Sequence, residues 1–267
     1  MSSPKSKPDR NRRRARSAAR PAAPETLRLY GLHPVRAALA NPGRQTTRLL
    51  ASRNGLDRLA AEPPCPVEIV EAAALDRLLG RDAVHQGLVL ECRPLDRLDG
   101  SELFQLADAR LVLVLDQVTD PHNVGAILRS AVAMAADCVV VTHRDSAPET
   151  GVLAKSASGA LDLVRIGEVR NLSKALAELQ EMGIACIGLD SEGTADLPAV
   201  LSRSPRRVAL VMGAEGRGLR RGTREACATI ARLDLPGAIK SLNVSNAAAL
   251  ALYLARAHVD DQSSKPR

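Results

Sequence analysis

Four apolar runs in the second half of the chain constrain its fold more than any other feature. Leu111-Val-Leu-Val-Leu115, Cys138-Val-Val-Val141, Ile184-Ala-Cys-Ile187 and Val208-Ala-Leu-Val-Met212 show no alternation of apolar with polar residues. A strand with one wet face alternates, whereas an unbroken short run reads as a strand covered on both faces of a parallel sheet. Helical stretches fall between them, over 124–135, 173–182 and 221–228, and an alanine-rich one follows over 245–257. Strands alternating with helices predict an α/β layer architecture.

Upstream, the pattern becomes globular at Leu27. Gly31 to Ala40 predicts a helix with Pro34 near its first turn. Arg48–Ala51, Val67–Val70 and Gly87–Cys92 predict short strands, and Leu75–Leu79 has helical spacing. This is a smaller α/β unit, and the mixed, charged stretch from Pro94 to Arg110 marks its boundary. The expected division is a basic tail over 1–26, a small domain over 27–95, a linker over 96–108 and a larger domain over 109–260.

The net charge of +7 is localised. Residues 1–20 hold eight Lys and Arg against one acid, Asp9, which accounts for the whole excess; the rest of the chain has 29 residues of each sign. A tail rich in Ser, Pro, Arg and Ala cannot build a core. It can condense onto phosphate with salt-dependent, sequence-blind affinity, or serve simply as a solubilising end. The only aromatic residues are Tyr30, Phe104 and Tyr253, too few for a base-stacking platform. An RNA partner would therefore be held by basic groups, backbone and shape. No apolar run reaches the roughly 18 residues that cross a bilayer, and the basic N-terminus lacks the apolar stretch of a secretory signal. Five scattered cysteines without a CxxC pair predict reduced thiols, a cytoplasmic setting and no metal site.

Three strings carry polar groups that a core does not need. Asp116-Gln-Val-Thr-Asp-Pro-His-Asn123 follows the first buried run and feeds a helix, with Asn123 a candidate N-cap and Arg129 expected in the second turn. Loops after the carboxyl ends of parallel strands are where ligands bind. Gly213-Ala-Glu-Gly-Arg-Gly218 follows the last run, and its glycines permit close backbone approach. Its GxxGxG spacing is neither the dinucleotide fingerprint nor a Walker loop, so a nicotinamide or nucleoside triphosphate site is poorly supported. Glu215 is an acid able to accept hydrogen bonds from a hydroxyl or amine. Ser241, Asn243, Ser245 and Asn246 crowd a helix entrance. Each string alone is also what a capped helix with a solvated arginine, a tight turn or ordinary capping would give.

Taken together, in this order, the strings resemble the three motifs of the SpoU (TrmH) family of RNA ribose 2'-O-methyltransferases, of the SPOUT class, over Leu111 to Ala257. Tyr30-Gly-Leu-His-Pro-Val35 and His85-Gln-Gly87 look like the small RNA-recognition domain of many members, which is similar to ribosomal protein L30. The resemblance implies a trefoil-knotted α/β domain, a homodimer, S-adenosylmethionine as methyl donor and an RNA substrate, with a guanosine of 23S rRNA favoured by the two-domain layout. The alternatives are a tRNA 2'-O-methyltransferase and a non-catalytic RNA-binding ribosome-assembly factor. Asn123, Arg129, Glu215, Ser241 and Asn243 match the catalytic positions. Gly213, Leu233 and Leu242 match positions whose backbone holds the donor, and Gly218 and Val244 belong to the same set. One departure stands out: the family's third motif opens Ile-Pro-Met, and here it reads Leu233-Asp-Leu235 with proline at 236. The family's arginine is its proposed base, but a guanidinium with a pKa above 12 stays protonated, so Arg129 reads better as a phosphate clamp. Deleting residues 1–25 is expected to weaken RNA binding at low salt and leave donor binding unchanged. Equal RNA affinity of both forms in a low-salt filter-binding assay would contradict a role for the tail.

Overall fold

The computed structural model describes residues 26–60, 62–103 and 108–261. The basic tail up to residue 25 and Phe104 lie outside the described residues. The first unit runs β1 (Leu27–Tyr30), α1 (Leu32–Ala40), β2 (Thr46–Ala51), α2 (Arg53–Leu59), β3 (Val67–Ile69), α3 (Ala72–Leu79) and β4 (Leu88–Cys92). Its sheet has the order β1-β4-β2-β3, antiparallel on both sides of β4 and parallel between β2 and β3. Two elements escaped the sequence reading. Four residues of β1 are too few to show a period, and α2 is punctuated by Gly55, whose lack of a side chain lets the backbone of Gly87 approach: a Cβ there would lie 2.3 Å from the Gly87 carbonyl oxygen.

The second unit continues with α4 (Gly100–Leu103), β5 (Leu111–Asp116), α5 (Pro121–Ala133), β6 (Cys138–Thr142), α6 (Gly151–Ala157), a 3₁₀ turn (Ala160–Asp162), β7 (Ile166–Val169) and α7 (Leu172–Glu181). It ends with β8 (Ala185–Leu189), β9 (Ala195–Asp196), α8 (Leu197–Arg203), β10 (Val208–Gly213), α9 (Arg221–Ala226), β11 (Thr229–Arg232) and α10 (Val244–Asp261). Seven strands form one sheet in the order β7-β6-β5-β10-β8-β11-β9, with every neighbouring pair parallel. The four apolar runs are its four central strands. Leu111, Leu113 and Leu115 of β5 join one apolar cluster and Val112 and Val114 the other, so both faces of the strand are dry. That is the physical reason the run carries no polar alternation. The edge strands β7 and β9, and β11 next to β9, are short and partly exposed, and the sequence pattern missed them, as it missed α6 and α8.

The connecting segment is docked rather than slack. Leu98 forms a parallel bridge with Gly167, extending the sheet past β7, and Leu103 is buried beside Gly167. The two units also share one apolar cluster that runs from Leu29 and Leu90 through to Leu113. Across this joint Arg44, with a fully buried side chain, donates from Nε to Asp162 Oδ1 at 2.8 Å and from Nη1 to Glu149 Oε1 at 2.5 Å. Asn41 adds hydrogen bonds to Asp162 from the same loop. Desolvation works against the Arg44 charge, but the two carboxylates outweigh it and raise the guanidinium above its ordinary pKa.

All five cysteines are free. Burial pushes the thiols of Cys92, Cys186 and Cys227 up to about 12 and that of Cys138 to about 11, which holds them protonated near neutral pH. Among the described residues no helix is long and apolar enough to cross a membrane. Arg44→Ala is expected to cost about 3–5 kcal/mol, because it leaves two buried carboxylates without their countercharge. Urea unfolding measures this, and a loss below about 1 kcal/mol, the scale of an exposed pair, would show the carboxylates to be solvated.

Candidate active site

The site is assembled where β5 and β10 end side by side, with Gly213 in register with Asp116. Asp116 is completely buried. Its Oδ2 accepts from the Arg220 backbone N–H at 3.0 Å, and Arg220 Nε lies 2.7 Å from Oδ1. This carboxylate thus ties the loop after β10 back to the end of β5. Within that loop the Gly218 N–H donates to the Ala214 carbonyl at 2.9 Å. Gly213 is required by close approach, since a Cβ there would lie 2.2 Å from the Gly218 carbonyl carbon. Gly218 itself has φ +64, a conformation that glycine adopts without strain.

The tight loop projects Glu215 toward the starts of two helices. Glu215 Oε1 accepts from Asn123 Nδ2 at 3.1 Å, from Asn243 Nδ2 at 2.7 Å and from the Val244 backbone N–H at 3.2 Å. Asn243 Nδ2 also donates to Asn123 Oδ1 at 2.9 Å. One residue from each of the three strings therefore meets in a single hydrogen-bonded cluster. A carboxylate is favoured there by the positive ends of α5 and α10. Asn243 also caps α10: its Oδ1 accepts from the Ser245 N–H at 2.8 Å and from the Ser245 hydroxyl at 2.6 Å.

The expected role of Asn123 as N-cap is corrected by the structure. The helix begins earlier, at Pro121, and Asp120 caps it by accepting from the His122 N–H at 2.9 Å. Proline in the first turn after an aspartate is itself a start signal, and it competes successfully with Asn123. Asn123 thereby sits inside the first turn, and its amide is released to Glu215 and Asn243. Arg129 shifts with the start, to the third turn rather than the second. Six residues at 100° place Arg129 about 120° around the helix from Asn123. Arg129 is exposed and, among the described residues, makes no hydrogen bond or ion pair.

Beside the cluster lies a cavity of about 610 Å³. Gly213, Glu215, Gly218, Leu233, Ser241, Leu242, Asn243 and Val244 all line it. Arg129 does not, and Asn123 touches its margin through Glu215. Sequence reasoning missed Asp190 and Ser191, which enter from the end of β8; the signal was available, since β8 is another parallel strand whose carboxyl end faces the same edge. Asp190 is held by an ion pair with Arg224. Leu235 and Lys240 were also missed; Lys240 Nζ donates to the Leu235 carbonyl at 2.8 Å and closes the intervening loop. Asp234, the departure from the family pattern, has a side chain 77% exposed and lies 3.9 Å from Arg232, while its neighbours Leu233 and Leu235 line the cavity. The substitution leaves the wall apolar.

These walls fit S-adenosylmethionine. The volume falls in the usual range for a small-molecule site. Leu189, Met212, Leu233, Leu235 and Leu242 offer apolar contact for a flat base, and the carboxylates of Asp190 and Glu215 suit hydroxyls and a positive centre. Among the described residues no group of three or more His, Cys, Asp and Glu is placed to hold a metal ion.

The model of the SpoU rRNA methylase family matches residues 110–253, and that of the RNA 2'-O ribose methyltransferase substrate-binding domain matches residues 28–98. The chain is 37% identical over 239 residues to the 23S rRNA (guanosine-2'-O-)-methyltransferase RlmB of Vibrio cholerae, covering 84% of this chain and 94% of the relative. It is 39% identical over 234 residues to the protein of the same name from Ralstonia nicotianae, covering 84% and 93%. The fold is shared with the SpoU methyltransferase AviRb from Streptomyces viridochromogenes, solved with the cofactor AdoMet, at a TM-score of 0.72 and 21% identity over 91% of this chain and 92% of that one. On the extent of these matches, and with its three motifs converging at the carboxyl edge of one parallel sheet, the chain belongs to the SpoU rRNA methylase family.

Proposed function

We propose that the protein transfers a methyl group from S-adenosylmethionine to the ribose 2'-oxygen of a guanosine in 23S rRNA. The observation that carries this reading is the Glu215 carboxylate bridging Asn123 and Asn243 at the mouth of a nucleoside-sized cavity. The names of the relatives in Vibrio cholerae and Ralstonia nicotianae support the substrate. An rRNA substrate implies a cytoplasmic setting, where ribosomes are assembled.

When bound, the donor supplies an electrophilic methyl on a sulfonium sulfur, so the protein's task is to position the acceptor and its charge. The backbone at Gly213, Gly218, Leu233, Leu242 and Val244 would hold the donor, with apolar side chains around its base. Asn123, Glu215 and Asn243 lock one another in place, which keeps polar groups fixed where the ribose arrives. Ser241, exposed on the cavity rim, is available to the target nucleotide. The planar guanidinium fork of Arg129 suits the phosphate next to the target ribose. The hydroxyl proton leaves to solvent at the open side of the cluster.

A second copy of the chain completes this reading. Asn246, Leu250, Tyr253 and Ala257 form one exposed stripe at helical spacing along α10. Leu250 is 47% and Tyr253 62% exposed, apolar surface that a homodimer would cover. Tyr253→Glu with Leu250→Glu is expected to shift the protein to monomer in analytical ultracentrifugation; a wild-type monomer at micromolar concentration would refute the dimer.

The decisive assay is methyl transfer from labelled S-adenosylmethionine to unmodified 23S rRNA and, separately, to tRNA, with nucleoside mass analysis. The expected product is 2'-O-methylguanosine on the rRNA; product on tRNA alone would overturn the substrate. Donor binding without transfer to either would favour a non-catalytic assembly factor. Arg129→Ala is expected to lower kcat/KM about 10²–10³-fold, the scale of losing one preorganised donor, with donor affinity unchanged. Arg129→Lys should recover little, and near-normal turnover of that variant would sink the positional role.

A further inference from the structure

A second recess opens on the same edge of the sheet, beyond β5. It has a volume of about 390 Å³ and is lined by His143, Arg144 and Arg170. His143 and Arg144 directly follow β6 and Arg170 directly follows β7, so all three stand at the carboxyl ends of adjacent parallel strands. Neither arginine matched a motif in the sequence, because they belong to different loops and are 26 residues apart.

The recess is a built feature. The Thr142 hydroxyl donates to the Arg144 carbonyl, and Asp145 takes a positive φ of +58, which folds the loop back and presents the His143 and Arg144 side chains outward. The nearby acids are already engaged. Glu168 is hydrogen-bonded to His143 Nδ1 and accepts from Arg97 Nη1 at 2.6 Å. Asp145 lies 3.8 Å from Arg220 Nη1. Arg170 is exposed and, among the described residues, makes no hydrogen bond or ion pair. The recess therefore presents two exposed arginines, of which Arg170 has no partner among the described residues.

Position links it to the cavity. Neighbouring strands lie about 4.8 Å apart, and β6 is next to β5, whose end builds the cluster around Asn123. Arg220 stands between the two, with Nε on Asp116 and Nη1 toward Asp145. A strand laid along the carboxyl edge, with one ribose at the cavity, would pass over Arg220 and reach Arg144 and Arg170.

We infer that His143, Arg144 and Arg170 form a phosphate subsite that grips a backbone phosphodiester of the RNA a short distance from the nucleotide being methylated. The inference rests on the proposed reading of the main site and adds to it a second anchor, which fixes where along the strand the target ribose falls. Phosphate contacts of this kind set register without reading sequence.

The test compares the full-length wild type with the Arg144→Gln, Arg170→Gln double variant, its Lys counterpart and an Arg206→Gln control. Arg206 is exposed just before β10, at the opposite, amino edge of the sheet. Binding of a 23S rRNA fragment is measured against salt concentration, alongside S-adenosylmethionine affinity and methyl transfer. The Gln pair is expected to lower the slope of log K against log salt by about 0.7–0.9, the loss of one neutralised phosphate, with donor affinity unchanged. The Lys pair should keep the slope, because the charge remains. An unchanged slope in the Gln pair, or an equal drop in the Arg206→Gln control, would overturn the subsite. Inorganic phosphate is titrated in parallel. Phosphate binding that the Gln pair loses while its RNA slope stays at the wild-type value would overturn the strand contact in favour of a free-anion site. Failure of the wild type to methylate rRNA would count against the main-site reading, while the slope still decides the subsite.

Discussion

Everything at this site depends on the pairing of β10 with β5. The two strands meet in parallel register from Val208 opposite Leu111 to Gly213 opposite Asp116. That register brings the glycine loop and the Asp-Pro-His-Asn turn out of the sheet at the same height. A slip of one residue would exchange Leu111, Leu113 and Leu115 for Val112 and Val114 between the two apolar clusters and move Glu215 off Asn123. The buried Asp116 carboxylate enforces the register a second time, through the Arg220 backbone and side chain. Hydrophobic burial selects the pairing, and the polar contact at its end aims the loop.

Arginine plays three different parts here, and its surroundings decide which. Arg44 is sealed from water between Glu149 and Asp162, and its charge is consumed in joining the two units. Arg220 is half-exposed and bridges Asp116 to the loop after β6. Arg129 and Arg170 are exposed and unpaired among the described residues, so their charge is directed outward. Composition reports only a near balance of signs outside the tail. The distribution of partners is what separates structural cations from those left for an anionic ligand.

The fold class was legible because burial on both faces leaves an unmistakable imprint: Leu111 to Leu115 cannot be a one-sided strand. Short edge strands such as Ile166–Val169 leave no such imprint, since four half-exposed residues show neither a run nor a period. The helix after β5 was legible, but its start was misread, because Asp120-Pro121 and Asn123 are both plausible beginnings and only the backbone decides. The meeting of Asn123, Glu215 and Asn243 was suggested by resemblance and not by spacing, since 92 and 28 residues of chain separate the hydrogen-bonded partners. Arg44 gave no signal at all. A lone arginine in a loop reads as solvated until the far carboxylates are seen to close over it.

The strand order has a consequence for how the chain is made. The sheet's central strand, β10, is the tenth of the eleven described strands to leave the ribosome, yet it must enter between β8, made shortly before it, and β5, made long before it. Until then β7, β6 and β5 can form one half-sheet with the apolar edge Leu111–Asp116 open, while Ala185–Leu189 lacks both of its partners, since β11 follows β10 in the chain. Such edges invite pairing with other chains. The interval between the synthesis of β5 and that of β10 therefore leaves an apolar strand edge open, and it closes only when the central strand is inserted.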